Sequence, residues 1–107
     1  MSEPELVLVL TTLPADHDAR SLASTLVEER LAACATILGE VHSVYRWEGK
    51  VTSDRERQLL IKTAASRAPA LVARIKALHP YTLPEIIVVP TRGGLDAYVR
   101  WVCEMTI

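Results

Sequence analysis

The sequence has no excess of either charge: 12 Lys and Arg stand against 13 Asp and Glu, a formal net charge of −1. Nucleic acid and anionic membrane both select strongly basic surfaces, so neither is expected as the main partner. No apolar run reaches the ~18 residues of a membrane span. The opening MSEPE is acidic and has neither the basic nor the apolar region of a secretion leader, which predicts a cytoplasmic protein. Cysteine is scarce, and Cys34 and Cys103 are expected as reduced thiols in that compartment. No CxxC or HxxxH spacing occurs, so the strong zinc patterns are missing. A G-x-S-x-G elbow, a P-loop and a nucleophile–base pair are missing too. Glu56 and Glu85 are the one carboxylate pair that suggests acid/base work, and no spacing brings them together. The expectation is a protein that is not an enzyme.

What is present is enough for one globular domain over residues 1–107: half of the residues are hydrophobic and 23% are charged. Leu6–Leu10 is a continuous apolar run that suits a strand buried on both faces, closed by Thr11, Thr12 and Pro14. Asp16 opens a helix in which Ala19, Leu22, Ala23, Leu26 and Val27 recur at helical spacing, ending near Leu31. Cys34–Leu38 is a short apolar segment, and Gly39 marks a bulge or bend.

The chain is organised around Val41–Thr63. Val41, Ser43, Tyr45 and Trp47 alternate with His42, Val44 and Arg46. Leu59 and Ile61 alternate with Gln58, Leu60 and Lys62, and Glu48-Gly49-Lys50 breaks the pattern, the signal of a β-hairpin. Ten residues of strand span roughly 33 Å, whereas a chain of this length has a radius of gyration of about 13 Å. The hairpin should therefore overhang its core and carry Tyr45 and Trp47 into a position that a second copy of the chain would cover.

Beyond the hairpin, Ser66 is read as a helix cap with Pro69 in the first turn. Leu71, Val72, Ile75 and Leu78 form the apolar stripe, and His79-Pro80 stops the helix. Glu85–Val89 is a last strand ended by Pro90. Gly93-Gly94 turns the chain, and Asp96 caps a helix on which Tyr98, Trp101 and Val102 share a face. The order β-α-β-β-α-β plus a terminal helix predicts an α+β, ferredoxin-like fold with a long central hairpin.

Four stretches then stand out in order: Arg30-Leu31-Ala32-Ala33-Cys34, Ser43-x-Tyr45-x-Trp47-x-Gly49-Lys50, Leu60-Ile61-Lys62-Thr63 and His79-Pro80-Tyr81-x-x-Pro84-Glu85. Together they resemble the CutA divalent-cation-tolerance family, from about Leu6 to Trp101. The resemblance implies a ferredoxin-like subunit, a tightly packed homotrimer, an architecture shared with PII-like signalling trimers, and no established catalytic reaction. It also implies an association with copper and other divalent cations. Where that family's copper ligands are a strand-end cysteine and a His-His pair before Pro-Tyr, this chain has Thr11 and Leu78. His79 is then the one metal candidate, in a helix's last turn where a partly positive imidazole suits the dipole.

The remaining candidates are ligand-binding residues of an inter-subunit cleft: Tyr45, Trp47, Lys50, Glu56, Lys62, Tyr81, Glu85 and Trp101. Aromatic walls with a lysine and a carboxylate suit a small anionic or zwitterionic molecule. The plainer alternative makes the aromatics interface core and Lys62–Glu85 a structural ion pair. Three functional expectations follow: a divalent-cation-tolerance protein with copper binding, a PII-like module that binds a small metabolite or anion, or a scaffold whose trimer serves a protein partner.

Overall fold

The computed structural model describes residues 5–107. Four strands, β1 (Leu6–Pro14), β2 (Cys34–Trp47), β3 (Lys50–Ala64) and β4 (Ile86–Pro90), form one antiparallel sheet in the order β2-β3-β1-β4. The helices are α1 (Ala19–Glu28), α2 (Ala68–Leu78) and α3 (Asp96–Met105). This is the split βαβ arrangement, with β3 inserted between β1 and β2.

Cross-strand register decides which face each side chain takes. Val9 pairs with Ile61, Thr11 with Leu59 and Leu13 with Arg57, so the odd-numbered residues of β1 and β3 share a face. The helices α1 and α2 cover that face, and Leu22, Leu26, Leu71 and Ile75 close over Val9, Leu59 and Ile61. At one end of the opposite face α3 packs Val99 and Val102 on Leu6 and Ala33. An Arg74–Glu29 fork, with Nε and Nη2 at 2.9 and 2.8 Å from the two carboxylate oxygens, ties α2 to the end of α1.

The element boundaries correct four expectations. β1 runs four residues past Leu10, because Thr11–Pro14 pair with Leu59–Glu56 of β3. The cap of α1 is Asp18, whose Oδ1 accepts from the Ser21 N–H at 3.0 Å, and the helix ends at Glu28. A 3-10 turn at Ala65–Arg67 precedes α2 and contains Ser66, so Ser66 does not cap the helix. Asp96 lies in the first turn of α3 after Leu95.

The hairpin is longer than the expected ten-residue arms, at 14 and 15 residues. Gly39 does sit in a bulge: Ile37 pairs with Leu59 and Glu40 with Arg57, so Leu38 and Gly39 together face Gln58. The turn is Glu48-Gly49 alone, since Lys50 already pairs with Trp47. Both turn residues have positive φ, +50° and +78°, which a tight type I′ connection requires. The arm makes the molecule elongated, 48 × 25 × 23 Å with a radius of gyration of 14.6 Å.

Candidate functional site

α2 stops at His79, whose backbone is extended (φ −76°, ψ 139°), as the residue before proline requires. That geometry turns the imidazole back under the sheet edge. β4 begins opposite Thr11, so beyond it β1 lacks a strand on that side. The Thr12 carbonyl is instead 2.7 Å from His79 Nε2, and the Tyr81 N–H donates to Nδ1 at 3.1 Å. A carbonyl can only accept, so the proton sits on Nε2 and the ring is neutral. Burial pushes the His79 pKa down, opposed by the bond to Thr12. The ring is thus neutral and not the expected partly positive group on a helix dipole: His79 is a buried tie between β1 and the α2–β4 connection.

The backbone held by His79 presents Tyr81 to β3. Its ring lies 5.0 Å from the imidazole, and its hydroxyl donates to Glu56 Oε2 at 3.0 Å. Burial and Glu56 together push the Tyr81 pKa up to about 12, so the phenol remains a donor at neutral pH. Farther along the arm Tyr45 donates to the Asp54 carboxylate, and that bond, before burial, raises the Tyr45 pKa.

Between the arm and the α2–β4 connection lies an open cleft of about 900 Å³. Of the predicted residues it brings together Tyr45, Trp47, Glu56, Tyr81 and Glu85, joined by Thr12, Ser43, Arg46 and the loop residues Pro80, Thr82 and Leu83. Three predicted residues lie elsewhere. Lys62 pairs with Cys34 in the sheet, and its Nζ donates to Thr36 Oγ1 at 2.6 Å. The Lys62–Glu85 ion pair is accordingly not formed. Lys50 is at the exposed hairpin tip, and Trp101 on α3 stacks against Tyr98 with ring centroids 5.6 Å apart. Asp54 was missed by the sequence reading, although counting back from Glu48-Gly49 sets it opposite Ser43, two pairs from Tyr45 and on the same face.

The donor set does not form a chelate within one chain. Both His79 nitrogens are engaged, and a metal there would have to break the Thr12 or the Tyr81 bond. No grouping of three or more His, Cys, Asp or Glu side chains able to share an ion occurs among the described residues. Among those residues, too, no helix is long and apolar enough to cross a membrane.

Comparison with known proteins agrees with this fold. The family model described as CutA1 divalent ion tolerance protein matches residues 7–105. A divalent-cation tolerance protein CutA from Thermus thermophilus is 48% identical over 99 residues, covering 92% of this chain and 96% of its own. A chloroplastic CutA from Arabidopsis thaliana is 42% identical over 94% of this chain and 55% of its own. Among solved structures, the PII-like protein CutA from Nostoc sp. PCC 7120 superposes with a TM-score of 0.88 at 37% identity, covering 94% and 97% of the two chains. The chain belongs to the CutA1 divalent ion tolerance family.

Proposed function

We propose that the protein is a single-domain, non-enzymatic homotrimer of the cytoplasm that takes part in the response to divalent metal ions, with the cleft at Tyr45–Tyr81 as its recognition surface. The observation that carries this reading is the position of the cleft: it is formed by an arm that overhangs the core, so its walls are fixed only when another copy supports the arm. The sheet face opposite α1 and α2 supports the same assembly. Register places Leu10, Leu38, Leu60 and Ile87 on it, beyond the reach of α3, and Leu38 and Ile87 are exposed. An uncovered apolar sheet face of this kind invites a partner.

Two readings of the response to metal follow. In the first, copper or another divalent cation binds directly, with His79 giving up one hydrogen bond and a neighbouring subunit completing the ligand set. In the second, a PII-like one, a small molecule occupies the cleft and metal tolerance is an indirect consequence. The engaged His79 nitrogens favour the second. Titration of metal-free protein with copper(II), followed by calorimetry with the assembly mass measured on the same sample, separates them. Stoichiometric binding that is lost in His79→Ala supports the direct reading; weak, unsaturable binding on an intact trimer supports the cleft.

A further inference from the structure

The cleft's lining is acidic and aromatic; Lys62 is held on Thr36 in the sheet, and Lys50, paired with Trp47 at the exposed tip, is not among the lining residues. Glu56 is only 7% exposed; one oxygen accepts from Tyr81, and no cation among the described residues of its own chain pairs with it. The ion pairs among the described residues are Arg55–Glu40 and Arg74–Glu29, and neither involves Glu56, Glu85 or Asp54. The one basic lining side chain, Arg46, belongs to the opposite face of the hairpin from Tyr45 and Trp47, and its Nη1 donates to the Gly49 carbonyl. A carboxylate removed from water without a countercharge is costly, and a bound cation would offset that cost.

Resting on the reading of the cleft as the recognition site, we infer that its ligand carries a positively charged nitrogen: a small organic cation, an alkylammonium or diamine, held by Glu56 and Glu85 between Tyr45, Trp47 and Tyr81. The aromatic rings present electron-rich faces that attract an ammonium group. Tyr45, Trp47 and Tyr81 all line the cleft, so their rings form part of its wall. A bare metal ion fits less well, because the carboxylates are not gathered into a ligand set and ring faces supply no lone pairs. An organic cation needs only one well-placed carboxylate and an aromatic wall, and both are present. Of the expected anionic or zwitterionic ligand, this reading keeps the cationic group of the second and drops the first.

The test is calorimetric titration of the assembled full-length protein with 1,4-diaminobutane, its neutral isostere 1,4-butanediol, inorganic phosphate and zinc chloride, each alone. Saturable binding of the diamine without binding of the diol is expected. Glu56→Gln keeps an acceptor for Tyr81 and should weaken diamine binding about 30-fold, the range of a hydrogen bond to a charged group. Glu85→Gln, on an exposed side chain whose loss leaves the core intact, should weaken it about 3-fold. Glu29→Gln, outside the cleft, should leave affinity unchanged. Binding of phosphate or zinc without the diamine, or equal binding of diamine and diol, overturns the charge assignment while the cleft stands. If an intact trimer binds none of the four, the cleft itself is not the recognition site and both readings fall.

Discussion

The two ends of the same hairpin obey different rules. At its base Leu59 and Ile61 of β3 are fully buried under α1 and α2; at its tip Val44 and Val51 are 70% and 68% exposed. Both ends have the same period-2 alternation, the same antiparallel pairing and similar β-branched residues, yet only the base has helices to pack against. Alternation therefore specifies the strand, and the layer laid over it specifies the burial. The base stabilises the fold. The arm contributes little to that and instead carries Tyr45 and Trp47 to where another molecule can reach them.

Substitutions sharpen this contrast. The largest effect belongs to the base: Leu59→Ala should cost about 2–5 kcal/mol of folding stability, because a fully enclosed side chain leaves a cavity. Chemical denaturation measures it, and a loss near zero would mean that the base is not the stabilising region. Trp47→Ala should instead weaken assembly by about 2 kcal/mol, as central interface aromatics commonly do, while the subunit stays folded. Sedimentation at nanomolar concentration reads that change, and an unaltered trimer would remove Trp47 from the interface.

A smaller effect is expected at the junction of the two regions. His79 has a lowered pKa in the folded chain, so the unfolded chain binds the proton more readily. Its contribution is fully present above the unfolded value of about 6.5 and is lost as pH falls through the folded value. Thermal unfolding should therefore show stability falling as the pH drops below about 6.5, above the range of ordinary carboxylates, and His79→Gln should flatten that slope. A slope that survives the substitution would assign it to other groups. The smallest effect is on the arm's surface. Arg55→Ala removes the exposed pair with Glu40, at 2.8 Å, and should leave the melting temperature unchanged, as solvent-screened pairs usually do. A marked drop would show that the arm is held by more than its strand pairing.

The sequence carried the fold well where one local signal dominates. Gly39 announced the bulge, Pro80 the end of α2, and Gly49 the turn. It misled where pairing overrides a local cue. Thr11 and Thr12 look like the close of a strand, but β3 extends alongside them and keeps β1 going to Pro14. The site divides in the same way. Tyr45, Trp47, Glu56, Tyr81 and Glu85 were legible as motif residues, and the cleft collects them. Lys62 was attractive by type alone; its register opposite Cys34 puts its ammonium on Thr36 instead. Asp54 needed only the register count from the turn. The engagement of both His79 nitrogens was not legible, because it depends on β4 stopping short of Thr12.

The central claim is that the arm is ordered to meet other copies of the chain. The most direct test is the mass of the purified protein in dilute solution, by sedimentation velocity or mass photometry. A single species at three times the 11.8 kDa chain mass is predicted. A monomer that keeps its full β-structure at the same concentration would contradict the account, since the exposed arm would then need no partner.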